Sequence, residues 1–133
     1  MADFTPQRRV GQVFNTSAAT ANQVALTVPT SRDKAYLIKA TVTSLATDNF
    51  DETDAYGIVG LFKNDGGTLA QVGATGALFT AIETIAGRDV NFNVSGSDVQ
   101  LRVTPADATP LSWLCDVTVQ EVSKYAANSG WVD

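Results

Sequence analysis

Hydrophobic and polar residues alternate with period two through much of this chain, most cleanly between Arg88 and Val122. Val90, Phe92 and Val94 share one parity, with Asn91 and Asn93 between them. After Ser95-Gly96-Ser97-Asp98 the apolar parity passes to Val99, Leu101 and Val103, leaving Gln100, Arg102 and Thr104 on the other side. Successive side chains of an extended strand point to opposite faces, so this pattern predicts two half-buried strands around a turn. A third run, after the segment from Pro105 to Pro110, puts Leu111, Trp113, Cys115, Val117 and Val119 on one face and Ser112, Asp116, Thr118 and Gln120 on the other. Burying Trp113 alone removes roughly 150–250 Å² from water, worth at most about 4–6 kcal/mol at roughly 25 cal/mol per Å². A face of that kind needs a second layer, which the earlier strands must supply.

Those strands are legible in turn. Val10 to Phe14 predicts a short first strand, and the small residues from Asn15 to Asn22 a loop. Val24, Leu26 and Val28 then alternate until Pro29, which lacks a backbone donor, ends the strand. From Lys34 a long strand sets Tyr36, Ile38, Ala40 and Val42 against Leu37, Lys39, Thr41 and Thr43. Tyr56 to Lys63 is apolar on both parities, Tyr56, Ile58 and Phe62 against Val59 and Leu61, which predicts a strand covered on both faces. A loop or another subunit must cover the second side, and Val59 and Leu61 are therefore candidate partner contacts. Asn64-Asp65-Gly66-Gly67 supplies the residues of a tight turn closing a hairpin onto Leu69 to Val72. Gly73-Ala74-Thr75-Gly76 then breaks the pattern. Ala77 to Ile85 fits both periods, and β-branched Thr80, Ile82, Thr84 and Ile85 favour strand over helix. The sum is an all-β chain of eight or nine short antiparallel strands: a single β-sandwich, with jelly roll the expected strand order. Residues 1–9 read as an N-terminal arm, 10–122 as the sandwich and 123–133 as a C-terminal tail.

Composition narrows the function classes. A chain of 133 residues is one domain. The net charge of -5 and the scatter of nine basic residues argue against nucleic acid, whose phosphates need clustered Lys and Arg. Only Arg8 and Arg9 are adjacent, in the arm, where an acidic protein surface or solvent would meet them. There is no histidine, the commonest general base and zinc ligand, and the single Cys115 reads as a small buried hydrophobe. Gly73-Ala74-Thr75-Gly76 lacks the lysine of a phosphate loop. Asp48, Asp51, Glu52 and Asp54 crowd one loop, but without the Asp-x-Asx-x-Asx-Gly order that wraps calcium, and a single loop does not hold two carboxyl groups apart as glycoside hydrolysis requires. The loop is expected to be solvated and metal-free, and the chain to hold no cofactor and no catalytic residues. Tyr36, Tyr56, Trp113 and Trp131 could stack on a sugar ring, although Tyr36 and Trp113 fall on core parities. Tyr125 and Trp131, beyond the last strand, are candidates for docking to a partner. No apolar run has the length of a signal sequence or membrane span, so the expectation is a protein made and kept in a cytoplasm, with no membrane partner.

The segment from Val94 through Ser95-Gly96-Ser97-Asp98 to Thr104, followed by Leu111-Ser112-Trp113-Leu114-Cys115-Asp116-Val117 and the closing Val119-Gln120-Glu121-Val122, resembles a β-sandwich module of tailed-bacteriophage and prophage virion proteins. Tyr36 to Val42 and Tyr56 to Phe62 extend the resemblance to roughly residues 23 to 122. Such modules occur as capsid decoration proteins and as parts of tail fibres. The resemblance implies a structural virion component, a homotrimer, without catalytic residues. A lone module with short extensions leads to the expectation of a head decoration, or cement, protein, made in the host bacterial cytoplasm and bound on the capsid surface to the major capsid protein. Arg8, Arg9, Tyr125 and Trp131 would make the lattice contacts, and Val59 and Leu61 the subunit contacts. The alternative is a tail- or fibre-associated module that binds a receptor glycan.

Overall fold

The computed structural model describes residues 7–124, all of whose regular structure is β-strand. The strands are β1 (Gln7–Thr16), β2 (Gln23–Pro29), β3 (Lys34–Ala46), β4 (Thr53–Asp65), β5 (Thr68–Ile82), β6 (Asp89–Ser95), β7 (Asp98–Thr104) and β8 (Leu111–Ser123). They form an antiparallel five-stranded sheet, β1-β8-β3-β4-β5, and an antiparallel three-stranded sheet, β2-β7-β6. The β-sandwich read from the alternation is therefore present. The order keeps the β1-β8-β3 and β2-β7 neighbours of a jelly roll. Short connections, however, lay β4 beside β3 and β6 beside β7 as hairpins, so the sheets hold five and three strands in place of four and four.

The core lies where the alternating patterns converge. Trp113, Cys115 and Val117 of β8, Tyr36, Ile38 and Val42 of β3, and Phe62 of β4 close on Leu26, Phe92, Val99, Leu101 and Val103 of the smaller sheet. The Phe62 and Phe92 rings meet edge to face at 5.5 Å across the two layers. Trp113 is fully buried, and its indole N–H donates to Thr16 Oγ1 at 2.9 Å, which removes the cost of hiding that donor. The two-residue turn Gly66-Gly67 has both residues at positive φ, 61° and 101°, as the twist of a tight hairpin demands.

Three boundaries differ from the sequence reading. The strand expected at Val10 begins at Gln7, so Arg8 and Arg9 are strand residues opposite Val119 and Thr118 and not part of an arm. In β2 a bulge between Val24 and Leu26 buries Ala25 with Leu26 and turns Val24 outward. Gly73 to Gly76 does not end a strand. It lies inside β5, whose pairing with β4 shifts register in three places, and Gln71 Nε2 donates to Thr75 Oγ1 at 2.8 Å across the irregularity. Tyr125 and Trp131 lie outside the described residues.

Candidate interaction surface

The five-stranded sheet has an inner face on the core and an outer face with no layer over it among the described residues. On that outer face the register aligns side chains in rows across all five strands. One row runs Val13, Leu114, Thr43, Ala55 and Ile82; the next Gly11, Asp116, Thr41, Gly57 and Phe79; then Arg9, Thr118, Lys39, Val59 and Gly76; then Gln7, Gln120, Leu37, Leu61 and Val72. Alternation usually turns polar residues to such a face. Here eight of the eleven exposed large apolar side chains of the described residues lie on it: Val13, Leu45, Leu61, Val72, Phe79, Ile82, Leu114 and Val122. At one end the surface dips into a cleft of about 220 Å³ over Leu37, Leu61, Gln120 and Val122, adjoining one of about 290 Å³ between Asp33, Lys63, Asn64, Val122 and Lys124.

The structure brings together three of the residues singled out from sequence. Val59, Leu61 and Arg9 share this face, Arg9 in the same row as Val59. Arg8, its chain neighbour, points the other way, 3.8 Å from Glu121. Arg9 donates through Nε and Nη2 to both oxygens of Asp116, at 2.8 and 2.7 Å, and this bond holds the Asp116 carboxyl below its usual pKa. Both arginines are thus paired within the chain. Sequence reasoning missed the contributions of β1, β5 and β8 to the face. Its one available signal was Leu114, an apolar residue on the otherwise polar parity of Ser112 and Asp116.

The outer face of the three-stranded sheet has the opposite chemistry. Arg102 Nε donates to Asn91 Oδ1 at 3.0 Å, Asn91 Nδ2 to Asn22 Oδ1 at 2.8 Å, and Asn93 Nδ2 to Gln100 Oε1 at 3.0 Å. The Asn22 backbone N–H donates to Thr104 Oγ1 at 3.0 Å. The result is a ladder of amides, one guanidinium and one hydroxyl held in fixed orientation.

A third cluster corrects the reading of the acidic loop. Asp48 and Asp51 are exposed as expected, but Asp54 is 2% exposed and Arg88 likewise 2%. Arg88 donates to Asp54 Oδ2 at 2.9 Å, Glu52 Oε1 at 2.5 Å, Asp107 Oδ1 at 3.4 Å and the Pro105 carbonyl at 3.0 Å. The remaining lone pairs of Asp54 accept from Ser44 Oγ and from the Thr84 and Ile85 N–H groups. Burial works to lower the Arg88 pKa, but its hydrogen bonds to Asp54 and Glu52 leave it raised. Glu52, Asp54 and Asp107 are therefore counter-charges for one guanidinium, not a free acid and base. Tyr56, the nearest aromatic on β4, is buried, with its hydroxyl donated to Glu83 Oε2 at 2.8 Å, and burial raises its pKa. Tyr36, Tyr56 and Trp113 all lie in the core, while Phe50, 81% exposed, is the solvent-facing aromatic of the acidic loop.

Neither family models nor curated protein sequences match this chain. Solved structures do. The tailspike protein of Acinetobacter baumannii phage AM24 superposes on 91% of the chain with a TM-score of 0.56 at 6% identity. The tailspike of A. baumannii bacteriophage Fri1, a capsular polysaccharide depolymerase, aligns over 88% with a TM-score of 0.45 at 16% identity. The chain spans only 27% of the AM24 protein and 20% of the Fri1 protein. What is shared with the AM24 protein is the fold: its polypeptide contains a β-sandwich of this architecture.

Proposed function

We propose that this chain is a binding module of a tailed-phage virion, seated on the tail or its fibres, and that it contacts a glycan of the host surface. The observation that carries this reading is the fold likeness over 91% of the chain to part of a phage tailspike. It agrees with the resemblance of the segment from Val94 to Val122 to phage virion modules. Capsid decoration rests on that resemblance alone, so the tail reading is preferred.

The two outer faces divide the work. The amide ladder of Asn22, Asn91, Asn93, Gln100, Arg102 and Thr104 offers donors and acceptors at fixed spacing, the chemistry that meets sugar hydroxyls. The apolar face of the larger sheet suits contact with protein. In this reading the module binds without cleaving, and Glu52, Asp54 and Asp107 serve as counter-charges of Arg88.

Immunogold labelling of virions together with copy number per particle tests the location. A small number at the tail is expected, and a lattice-sized number on the head overturns it. For the ligand, host capsular polysaccharide is titrated against the wild type and Arg102→Ala. Binding by the wild type that falls about ten-fold or more in the variant supports the ladder, since a hydrogen bond to a charged group contributes roughly 1.5–3 kcal/mol. Equal binding by both rules it out.

A further inference from the structure

We infer that the outer face of the three-stranded sheet selects an acidic sugar, and that Arg102 is the group that takes its carboxylate. The inference rests on the proposed glycan binding and goes beyond it by naming the class of sugar and the residue that selects it.

The hydrogen bonds of the ladder leave one charged group unmatched. Within the chain Arg102 donates only through Nε, to Asn91 Oδ1, while Asn91 Nδ2 donates to Asn22 Oδ1. Asn22, in the left-handed region at a φ of 57°, anchors the series by donating its backbone N–H to Thr104 Oγ1. The Asn91 amide is thus held at both its oxygen and its nitrogen, and it holds one edge of the guanidinium in turn. Nη1 and Nη2 have no acceptor among the described residues. The other arginines differ. Arg8, Arg9 and Arg88 are ion-paired with carboxylates, and Arg32 donates to the Gly66 carbonyl. Arg102 is half-buried and meets only a neutral amide, so its charge is uncompensated where the local dielectric is lowered. A planar fork of two amino groups matches a carboxylate bidentately.

The surroundings suit a sugar ring. By register Val24 of β2 and Asn91 of β6 stand on either side of Arg102. The bulge in β2 turns Val24 outward, 40% exposed, and so sets one apolar side chain on a polar face directly opposite the guanidinium. That side chain can pack against the C–H face of a pyranose. In the next row Asn93 Nδ2 donates to Gln100 Oε1, which leaves Asn93 Oδ1 and Gln100 Nε2 without a partner among the described residues. One acceptor beside one donor fits a hydroxyl, which both gives and takes a hydrogen bond. The two rows are about 6.8 Å apart, within reach of a single ring.

Charge decides which anion. Arg102 is the one cation of β2, β6 and β7, and the carboxylates on the same face by register are Asp89, one row away, and Asp98, two rows away on the other side. A dense polyanion such as a nucleic acid would meet both carboxylates and find a single positive group. A sugar acid brings one carboxylate to Arg102 and surrounds it with neutral hydroxyls, from which Asp89 and Asp98 can accept.

Proton–nitrogen NMR of the full chain, titrated with methyl glucuronoside and methyl galacturonoside and in parallel with methyl glucoside, methyl galactoside and acetate, tests this. The Arg102 Nε–H and the Asn91 and Asn93 side-chain amides report on the site. At least one uronoside should move these signals saturably and bind at least ten-fold more tightly than its neutral counterpart and than acetate. Arg102→Gln should keep the backbone spectrum of the wild type and lose that preference. Neutral glycosides or acetate that bind as tightly as the uronosides, signals at Arg102 that do not move, or a preference that persists in Arg102→Gln overturns the inference. Host capsular polysaccharide that binds equally well after its carboxyl groups are reduced to alcohols would overturn it too, and would leave the proposed function standing. A chain that prefers uronosides yet is missing from tails would do the reverse.

Discussion

Arg88 is the residue whose loss the fold should tolerate least among the charged groups. Its guanidinium has no solvent-accessible side-chain surface, and it joins the β3–β4 loop, β4 and the β7–β8 loop through Glu52, Asp54 and Asp107. Arg88→Ala strands Asp54 in the interior, and removing one member of a buried pair costs about 3–5 kcal/mol. Urea unfolding followed by tryptophan fluorescence should show that loss. Asp48→Asn and Asp51→Asn, on the same loop but in solvent, should stay within about 0.5 kcal/mol of wild type. Equal effects from Arg88→Ala and Asp48→Asn would mean that the cluster contributes nothing. Asp107 of this cluster and Asp116 contribute to the acid limb of stability. Asp107 titrates low because the Thr109 N–H and hydroxyl bond it, with Arg88 adding to the effect, and Asp116 because Arg9 does. A carboxyl with a depressed folded pKa adds stability that is fully present above the unfolded value and is lost as pH falls through the folded one. These two contributions should be complete above about pH 5 and fade below about pH 4. Melting temperatures across that range should fall less steeply in Asp107→Asn than in the wild type; parallel curves would refute the assignment.

At the level of the strands, glycine positions decide how closely rings and backbone approach. A Cβ on Gly60 would come within 2.8 and 2.9 Å of the Phe62 ring and 3.1 Å of Phe92, both in the core. A Cβ on Gly57 would collide with the Phe79 ring, but that ring is on the outer face and 39% exposed, free to swing away. Gly60→Ala should therefore cost about 1–3 kcal/mol, the usual scale of overpacking, and Gly57→Ala less. A thermal-melt series would expose the error if the order were reversed. These strands also show what the sequence made legible. Period-two alternation placed Tyr36, Ile38, Val99, Leu101, Trp113 and Cys115 in the core, because pattern and packing depend on the same neighbours. Apolar residues on both parities around Val59 and Leu61 predicted a covered second side for β4, whereas among the described residues that side is an outer face with Leu61 exposed. Bulges escaped, since Val24-Ala25-Leu26 carries no mark of an extra residue and Gly73 to Gly76 reads equally as a break. The Arg9–Asp116 and Arg88–Asp54 pairs escaped because partners 107 and 34 residues apart meet only through the sheet order. Asp54 belongs with the exposed acids by sequence. It is separated from them only by the strand that begins at Thr53.

For the whole molecule, Cys115 is a built-in reporter of global opening. It lies mid-strand on β8, flanked by β1 and β3, with its side chain on the inner face and fully buried, and burial pushes its thiol pKa up to about 11. At pH 8 only about one thiol in a thousand would be the reactive thiolate even if a reagent could reach it. Peeling β1 from the sheet edge exposes the β8 backbone, but the sulfur remains under the smaller sheet. The path to reaction is therefore separation of the two layers, which is loss of the core itself. Labelling by a thiol reagent should accordingly be slow in native buffer and accelerate with urea along the slope of global unfolding. It should also rise in Arg88→Ala by the factor by which that variant raises the unfolded fraction, about ten-fold for each 1.4 kcal/mol lost. The link holds because Arg88 ties loops at one end of the sandwich while Cys115 sits between its layers, so only a cooperative unit transmits the loss from one to the other. Labelling that is fast in native buffer, or indifferent to Arg88→Ala, would instead show the five-stranded sheet opening from the smaller one as a separate unit.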